Sequence, residues 1–472
     1  MKKLLIIIGV LFTVNHENLS AQSIQLTVDE AVKKSVDASR LLRVSESKVV
    51  QANAKIEETN STSLPSVTLS GGYTRLSNVP VFSFDNASTI TGMLSLLNAL
   101  PGSSLQGQFS PQYIQTAGDL VRSQGSTSLF PALLDQTQFR LSAQQVLFAG
   151  GKIAAAKDVA KYSYNAAKLD VENDKLTMAY NTRQIYWQLY KALEVKKSLM
   201  ESVRQLTARV TDAEILQKGG MVTTNEVLKL KVSLSNLNVQ ILEVETQVRS
   251  TMVALNNLTG QPLNTQIELS SQPSYSNTMS EDANQLISNA QQKRPDVLAT
   301  EQRINMAKTG VDISNANWYP TVAVTGNVTY ANPNQRIIPS KQQFDATWDV
   351  GVNFQWSVWN WMATSHQTAQ SQAQLIQAEE GSKAVKENIA VEITQNYLSL
   401  KPVKERIKVS DESIVQAQEN YSVVSNKYKA GTATSTDVIE AETLLLQTKV
   451  NKISAIADYE LALAKLKKSL GE

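Results

Sequence analysis

The sequence predicts a mainly α-helical fold with a membrane β-sheet contribution, built from two structural repeats. Three observations predict it: an internal duplication, two very long helical segments and four strands that alternate apolar and polar residues. By length alone, 472 residues would suggest about three domains. The duplication favours instead two copies of one unit, residues 23–270 and residues 271–472.

The duplication is visible as pairs of similar segments at a constant spacing. Most pairs lie 211 residues apart, and one upstream pair lies 255 residues apart. The difference of 44 residues must be extra chain in the first copy, between Val67 and Phe148. The pairs are Phe148-Ala149-Gly150 with Trp359-Asn360-Trp361, Tyr186 with Tyr397, Lys218-Gly219-Gly220 with Lys429-Ala430-Gly431, Gly260 with Gly471 and, upstream, Leu64-Pro65-Ser66-Val67 with Tyr319-Pro320-Thr321-Val322.

Residues 1–22 have the pattern of a secretory signal peptide. Lys2 and Lys3 precede a mainly apolar stretch, residues 4–14, which is too short to cross a bilayer as a helix. Cleavage is expected after Ala21 or Gln22, and a buried N-terminal helix is the alternative. No later stretch is apolar for long enough to form a membrane helix. The mature protein is therefore expected to be exported and not to reside in the inner membrane.

The composition excludes several function classes. A net charge of +2 does not suggest nucleic-acid binding. The absence of cysteine excludes disulfides, thiolate metal sites and a cysteine nucleophile. His366 is the one histidine expected in the mature chain, and a surface position is expected for it. We predict no catalytic residue, cofactor or metal, and no phosphate-binding loop is present, so transport energy would have to come from a partner.

Each repeat is expected to begin with a helix. Thr27 and Glu30 form a capping-box pattern, and the helix that follows is predicted to run to about Ser61. In the second repeat Pro295 stands at a first helical position, and the helix is predicted to run to about Ala316.

Four segments then change to a period of two. They are residues 67–73, 139–143, 322–330 and 348–358, and each alternates apolar with polar side chains. This pattern suits membrane strands with lipid on one face and water on the other, although a soluble half-buried sheet is the alternative. The tryptophans near the last strand favour a membrane interface; they are Trp348, Trp356, Trp359 and Trp361.

A very long helix is predicted after each strand pair. Residues 152–218 contain neither glycine nor proline and would extend about 100 Å as a helix. The equivalent segment contains Gly381 and Pro402, where lower regularity is expected. A coiled-coil heptad pattern follows the first long helix, with Thr251 in one apolar slot. Its apolar positions are Val227, Leu230, Leu234, Leu237, Ile241, Val244, Val248, Leu255 and Leu258.

The extra chain of the first repeat falls within residues 77–136. This segment has few charges and several glycines and prolines, so it is predicted to be a large loop joining two strands, with a short helix possible over residues 92–99. Residues 261–280 are predicted to link the repeats.

The strand count predicts an oligomer. Four strands cannot close a barrel, since the smallest membrane barrels have about eight. An open sheet edge in lipid would leave backbone groups unpaired. Either the strands lie outside a membrane or several chains share one barrel, and the apolar helix stripes also need partners.

Three segments have distinctive motifs: residues 293–301 (KRPDVLATE), residues 318–322 (WYPTV) and residues 428–438 (YKAGTATSTDV). They resemble the TolC-like outer membrane efflux proteins, and the similarity extends over essentially the whole mature chain. The resemblance implies a homotrimer with a 12-stranded barrel in the outer membrane and an α-helical tunnel in the periplasm. It implies an exit duct that receives substrates from a periplasmic adaptor and an inner-membrane transporter of the RND, ABC or a similar class.

The alternatives are an exported coiled-coil scaffold or adhesin without a pore, and an exported hydrolase. A scaffold would explain the heptads but not the four amphipathic strands. A hydrolase is disfavoured because one mature histidine and no cysteine leave few residues for a nucleophile and a base. Neither the exported substrate nor the adaptor is indicated by the sequence.

The resemblance also implies roles for particular residues. Asp437 and Glu440 would narrow the tunnel entrance, and Glu226 and Tyr428 would make contacts that close it. A basic residue that often takes part in closure falls at Ala433, which cannot replace it. The residues implied to dock the adaptor are Gly219, Gly220, Met221, Ala430, Gly431 and Thr432.

A purely structural interpretation of the same residues is also available. Thr223 with Glu226, and Thr434 with Asp437, fit capping boxes. The glycines would then simply end the preceding helices.

Overall fold

The computed structural model describes residues 24–77, 83–102, 105–123, 127–128, 133–274, 282–338 and 341–472. The predicted signal peptide lies outside these described residues. The chain divides into two compact units, and each unit draws on both repeats. The first unit contains the chain up to Ala54, Val159–Lys308 and Ala373–Glu472, and the second contains Lys55–Asp158 and Thr309–Gln372.

The helices and strands follow one another in an order that repeats. The first half contains β1 (Ile24–Leu26), α1 (Val28–Ala38), α2 (Arg40–Ser61), β2 (Ser66–Arg75), β3 (Ser83–Phe84), α3 (Asn86–Ala99), α4 (Pro111–Arg122), β4 (Thr127–Ser128), β5 (Asp135–Phe148), α5 (Lys152–Lys218) and α6 (Thr224–Leu258). The second half contains β6 (Ile267–Leu269), α7 (Ala283–Lys293), α8 (Pro295–Asn315), a 3-10 turn (Ala316–Trp318), β7 (Thr321–Asn332), β8 (Asp345–Gln355), α9 (Ala363–Lys429) and α10 (Ser435–Leu470).

The opening of each repeat contains a helix break that the sequence analysis missed. Thr27 and Glu30 form the predicted capping box, but the helix stops at Ser39, whose backbone is extended and whose hydroxyl accepts from the Leu42 amide at 3.1 Å to start α2. The second repeat has the same break at Arg294, which α7 precedes. Arg294 is extended because the following proline disfavours helical backbone there.

The two long helices have equal length. α5 and α9 each span 67 residues, which confirms the helix predicted over residues 152–218. α9 continues through Gly381 and Pro402, so the predicted loss of regularity does not interrupt it. A proline removes one backbone hydrogen bond, and in a helix this long the effect stays local.

The core of the first unit joins helices to a small parallel sheet. β1 and β6 pair in parallel, with Ile24 opposite Ile267. Tyr186 is fully buried, and its hydroxyl donates to the Leu26 carbonyl at 3.0 Å and accepts from the Ser271 amide at 3.1 Å. Thr251, the polar residue in the heptad pattern of α6, is also buried and donates to the Gln247 carbonyl at 2.8 Å.

The second unit is built around an antiparallel sheet with strand order β2-β5-β7-β8. The four amphipathic strands of the prediction are all present, and most of their large apolar side chains are exposed, for example Leu69 at 72% and Trp348 at 76%. The last strand ends at Gln355, so Trp356, Trp359 and Trp361 follow it and do not belong to it. Among the described strands, β2 and β8 form the two edges of the sheet.

The insertion is more ordered than the predicted loop. The Leu76 amide donates to the Leu134 carbonyl at 2.9 Å, β3 pairs with β4, and α3 packs against α4. Asp85 caps α3 by accepting from the Ala87 amide at 3.0 Å. The two helices approach closely because Gly118 faces Thr91, where an added Cβ would lie 2.4 Å from the threonine methyl. The short helix expected over residues 92–99 is the second half of α3, whereas low charge and scattered glycines concealed α4.

Across the described ranges, no helix combines the length and the apolar content that a membrane span requires.

Candidate functional site: the paired helical tips

Two short turns connect the long helices, the first tip (residues 219–223) between α5 and α6 and the second tip (residues 430–434) between α9 and α10. Gly220 and Gly431 both have a φ of +73°, in the left-handed region that glycine adopts without strain. After each glycine the chain bonds back onto the helix, since the Met221 amide donates to the Leu216 carbonyl and the Thr432 amide to the Lys427 carbonyl, both at 2.9 Å. Each glycine therefore ends its helix.

The residues predicted to dock an adaptor lie on these tips, three on each. Met221 is 70% exposed, and the other five are also exposed: Gly219, Gly220, Ala430, Gly431 and Thr432. A Cβ added at Gly220 or Gly431 would meet no atom within 4 Å. The backbone conformation, and not a lack of space, therefore favours glycine at both positions.

The second tip forms a complete capping box. The Thr434 hydroxyl accepts from the Asp437 amide at 3.3 Å, and Asp437 Oδ2 accepts from the Thr434 amide at 2.8 Å and from its hydroxyl at 2.9 Å. These hydrogen bonds lower the pKa of Asp437, whose side chain is exposed. Within the described chain, the hydrogen bonds of Asp437 are thus those of a helix cap, as the structural interpretation expects. Glu440 is exposed one turn further on, and it has no hydrogen bond or ion pair within the described part of the chain.

The first tip has an equivalent threonine and an equivalent acid, Thr223 and Glu226, but the acid makes a different contact. The Thr223 hydroxyl accepts from the Glu226 amide at 3.4 Å, yet the Glu226 carboxylate does not return to Thr223. Glu226 Oε2 accepts instead from the Ser435 amide of the second tip, at 2.8 Å. Hydrogen bonding from Ser435 lowers the pKa of Glu226. The Glu226 carboxylate therefore caps a helix of the other repeat.

A second hydrogen bond joins the tips beside this one. Lys229 Nζ donates to Thr436 Oγ1 at 3.0 Å. Both contacts connect the first two turns of α6 with the first turn of α10. Ala433, where the resemblance implied a basic residue, has no charge to contribute, and the Glu226 to Ser435 hydrogen bond connects the tips without one.

Tyr428 is close to this link but does not join it. Its side chain is buried. Burial raises the pKa of Tyr428, and the negative charge of Glu226 raises it further by a smaller amount. Its hydroxyl has no hydrogen-bond partner among the described residues. The structure thus brings Glu226 and Tyr428 near each other without a hydrogen bond between them.

Sequence reasoning missed further polar residues between the repeats. Arg209 of α5 donates to the Ser425 hydroxyl of α9, and Lys449 of α10 pairs with Glu201 of α5 at 3.1 Å. Glu442 of α10 is 5% exposed, and neither carboxylate oxygen has a hydrogen-bond partner in the described chain. Burial raises the pKa of Glu442 to about 7.

The duplication itself offered a signal for Glu442. The equivalent residue, 211 positions earlier, is Lys231, which forms an exposed ion pair with Glu214 at 2.6 Å. A change from lysine to glutamate at equivalent positions marks a site where the repeats have different surroundings. Within the described ranges, no group of histidine, aspartate and glutamate residues is arranged to hold a metal ion.

Long helix pairs that end in glycine tips, together with a four-stranded sheet that exposes an apolar face, define a subunit of an outer-membrane channel. The sequence matches the outer membrane efflux protein family over residues 106–261 and 286–472. The chain belongs to this family.

Individual relatives agree with the family match. The chain is 22% identical to the outer membrane efflux protein BepC of Brucella suis over 324 residues, which cover 67% of this chain and 68% of that protein. It is 19% identical to the outer membrane protein TolC of Escherichia coli over 353 residues, covering 72% of this chain and 68% of that one.

Solved structures share the fold. The CusC channel superposes with a TM-score of 0.74 at 13% identity, covering 94% of this chain and 91% of that chain. The CmeC outer membrane channel of Campylobacter jejuni superposes with a TM-score of 0.73 at 16% identity, covering 94% of this chain and 85% of that chain.

The protein is therefore an outer membrane efflux channel of the kind that serves tripartite efflux and secretion systems. Members of the family are transporters and not enzymes. The family implies a trimer and efflux-pump partners. The alternatives of a scaffold or adhesin without a pore, and of a hydrolase, do not hold.

Proposed function

We propose that three copies of this chain form one exit duct, with a 12-stranded barrel in the outer membrane and an α-helical tunnel in the periplasm. The open edges of the sheet carry this proposal. Among the described residues β2 and β8 each pair with one strand only, and unpaired backbone groups in lipid cost several kcal/mol each. Pairing β2 of one copy with β8 of the next satisfies both edges. The exposed apolar face of the sheet would then contact lipid.

The exposed tips are the proposed docking surface for a periplasmic adaptor. The adaptor would recruit an inner-membrane transporter of the RND, ABC or a similar class. Support comes from the two equivalent turns, which both present backbone at a glycine with no covering side chain. A close backbone approach of this kind suits a helical partner.

Asp437 and Glu440 are the proposed acidic constriction at the tunnel entrance. Both are exposed at the start of α10, next to a tip, and three copies would place six carboxylates around one axis. The hydrogen bonds of Asp437 keep its carboxylate charged, since they lower its pKa. A ring of carboxylates favours cations and attracts multivalent ones.

Glu226 and Tyr428 are the proposed closing contacts. The Glu226 to Ser435 hydrogen bond supports this role because it fixes one tip to the other. Tyr428 would contribute by packing, since its buried ring lies beside the link and its hydroxyl is unpaired in the described chain.

The entrance proposal is tested by planar-bilayer conductance. We expect the Asp437→Asn, Glu440→Gln double variant to lose cation preference and sensitivity to block by multivalent cations. Asparagine caps a helix about as well as aspartate, so a purely structural role of Asp437 predicts unchanged conduction. Identical selectivity in the wild type and the variant would remove both residues from the entrance.

A further inference from the structure

Four of the polar contacts between the repeats, all within the described part of the chain, join the long helix pairs. They connect α5 or α6 with α9 or α10, and they therefore define one junction between repeats. The contacts are Arg209 with Ser425, Glu226 with the Ser435 amide, Lys229 with Thr436, and Glu201 with Lys449.

A ring of three duplicated chains contains six repeats and six junctions. Three junctions lie inside chains and join a first repeat to a second repeat. The other three lie between chains and join a second repeat to the first repeat of the next copy. Because the repeats are similar in sequence and fold, the two kinds of junction should be built alike. Each contact inside a chain then has a transposed counterpart between chains. The counterpart is found by adding 211 to the number of the first-repeat residue and subtracting 211 from that of the second-repeat residue.

We propose that the next copy docks through these transposed contacts, in a ring that rests on the trimer proposed above. The partner is thus a second copy of this chain, placed with its α5 and α6 against α9 and α10. The predicted pairs, each given with the neighbouring copy's residue second, are Asp437 with the Thr224 amide, Glu440 with Asn225, Asn420 with Glu214, and Glu412 with Asn238.

Chemical complementarity supports the assignment. Each transposed pair couples a carboxylate with an N–H donor, although most of the side chains differ from those of the contact inside the chain. Lys229 donates to Thr436, and their counterparts are an acceptor, Glu440, and a donor, Asn225, so both partners have exchanged roles together. No pair brings two like charges together.

Exposure supports it independently. Inside the chain the junction is covered at two of these contacts, since Ser435 is fully buried and Ser425 is 6% exposed. Their counterparts are open, because Thr224 is exposed and the Glu214 side chain is 42% exposed. Such a difference is expected when one junction is complete in the chain and the other requires a second copy.

The geometry at Asp437 leaves room for the additional contact. Its own capping box uses Oδ2 for both hydrogen bonds, so Oδ1 is available to the neighbouring helix. Thr224 is the first residue of α6, and a first-turn amide has no acceptor within its own helix. The donors Thr224 and Asn225 are neutral, so the carboxylates would keep their charge at the entrance.

Disulfide trapping tests the proposal, because the chain has no cysteine of its own. The Thr224→Cys, Asp437→Cys double variant should oxidise to covalent dimers and trimers on a non-reducing gel. The Glu226→Cys, Ser435→Cys variant is the matched control within the chain, and it should stay monomeric with altered mobility. In Asn238→Cys, Asp437→Cys, the α6 position lies about 21 Å further along at about 1.5 Å per residue, and it should not cross-link.

The possible failures are distinguishable. Wild-type protein that is trimeric in detergent and conducts, combined with a Thr224→Cys, Asp437→Cys variant that stays monomeric, would overturn the docking assignment and leave the duct intact. Equal cross-linking of the Asn238→Cys, Asp437→Cys control would overturn it too. Wild-type protein that is not trimeric would refute the ring itself.

A charge test does not depend on disulfide geometry. Asn225→Asp should lower the temperature at which the trimer dissociates, since it places a carboxylate opposite Glu440. Asn225→Lys should raise that temperature. Equal shifts of the same sign would contradict the contact between Asn225 and Glu440.

Discussion

The two tips have nearly the same sequence pattern and the same backbone, yet their acids differ in use. Gly220 and Gly431 share a φ of +73°, and a threonine caps the helix after each. Asp437 returns to its own cap, whereas Glu226 reaches the amide of Ser435. Glutamate is longer by one methylene, which helps it to leave its own helix. Duplication thus supplied two local caps, and one of them now joins the repeats.

A second equivalent pair differs even more. Lys231 forms an ion pair that is half exposed, whereas Glu442 is buried without a hydrogen-bond partner in the described chain. An exposed ion pair contributes little to stability, and an unpaired buried carboxyl is costly while it is charged. The second repeat therefore contains a destabilising feature that the first does not.

The largest expected effect comes from closing the space over a tip. Gly431→Trp should abolish efflux, measured as growth in toxic compounds by cells that depend on this channel, while trimers still assemble. Gly431→Ala is the matched control. Both variants strain the left-handed backbone by about 1–2 kcal/mol, but only tryptophan blocks a partner's approach. Gly220→Trp should behave like Gly431→Trp if both tips dock, and normal efflux from both tryptophan variants would place docking elsewhere.

Glu442 offers the next largest effect, on stability. Its pKa is about 7 in the folded chain against 4.5 for the free group. The folded state therefore holds a proton more tightly, and stability should fall as pH rises from about 4.5 to about 7. Above that range the cost is on the order of 3 kcal/mol.

Glu442→Gln should remove most of this pH dependence, because a neutral amide cannot ionise. Thermal unfolding at pH 5 and pH 8 measures it, and the wild type should lose more stability at pH 8 than the variant. Lys231→Gln at the equivalent exposed position should leave the pH dependence as it is. Parallel pH profiles for the wild type and Glu442→Gln would show that the carboxyl is solvated in the assembled channel.

Much of the fold could be predicted because its determinants are local. A run of residues that contains neither glycine nor proline predicted the full extent of α5. Thr434 with Asp437 predicted a capping box that the structure contains. The break at Ser39 was hidden, since serine is compatible with a helix interior and only its extended backbone ends α1. α7 was not predicted, because Pro295 marked the start of the first helix of the repeat.

The site was less predictable because its main contact is not local. Glu226 and Ser435 are separated by 209 residues, and nothing in the first tip shows that its acid will leave Thr223. The burial of Glu442 likewise depends on how α10 packs against α5. Both become visible once equivalent positions of the repeats are compared in three dimensions.

The link between tips should have a moderate effect on gating. A hydrogen bond to a charged group contributes about 1.5–3 kcal/mol, so Glu226→Ala should raise the open probability or conductance of the channel in a planar bilayer. Glu226→Gln retains an oxygen acceptor without charge, and its effect should be intermediate. Asp437→Ala is the counterpart at the other tip. If Glu226→Ala conducts like the wild type, the link is structural and takes no part in closure.

The smallest expected effect is the loss of helix stability when a capping threonine is replaced, and this loss should differ between the two helices. The Thr434 hydroxyl both accepts from the Asp437 amide and donates to its carboxylate, whereas the Thr223 hydroxyl makes one long contact of 3.4 Å with the Glu226 amide. Losing a threonine cap costs about 1 kcal/mol. Thr434→Ala should therefore cost about that much, and Thr223→Ala clearly less. Hydrogen exchange of the first-turn amides of α6 and α10 measures each loss locally, and Thr434→Ser should restore protection. Equal losses at the two caps would mean that the hydrogen bond from the Thr434 hydroxyl to the Asp437 carboxylate adds nothing to the helix, and the contrast between the tips would then rest on Glu226 alone.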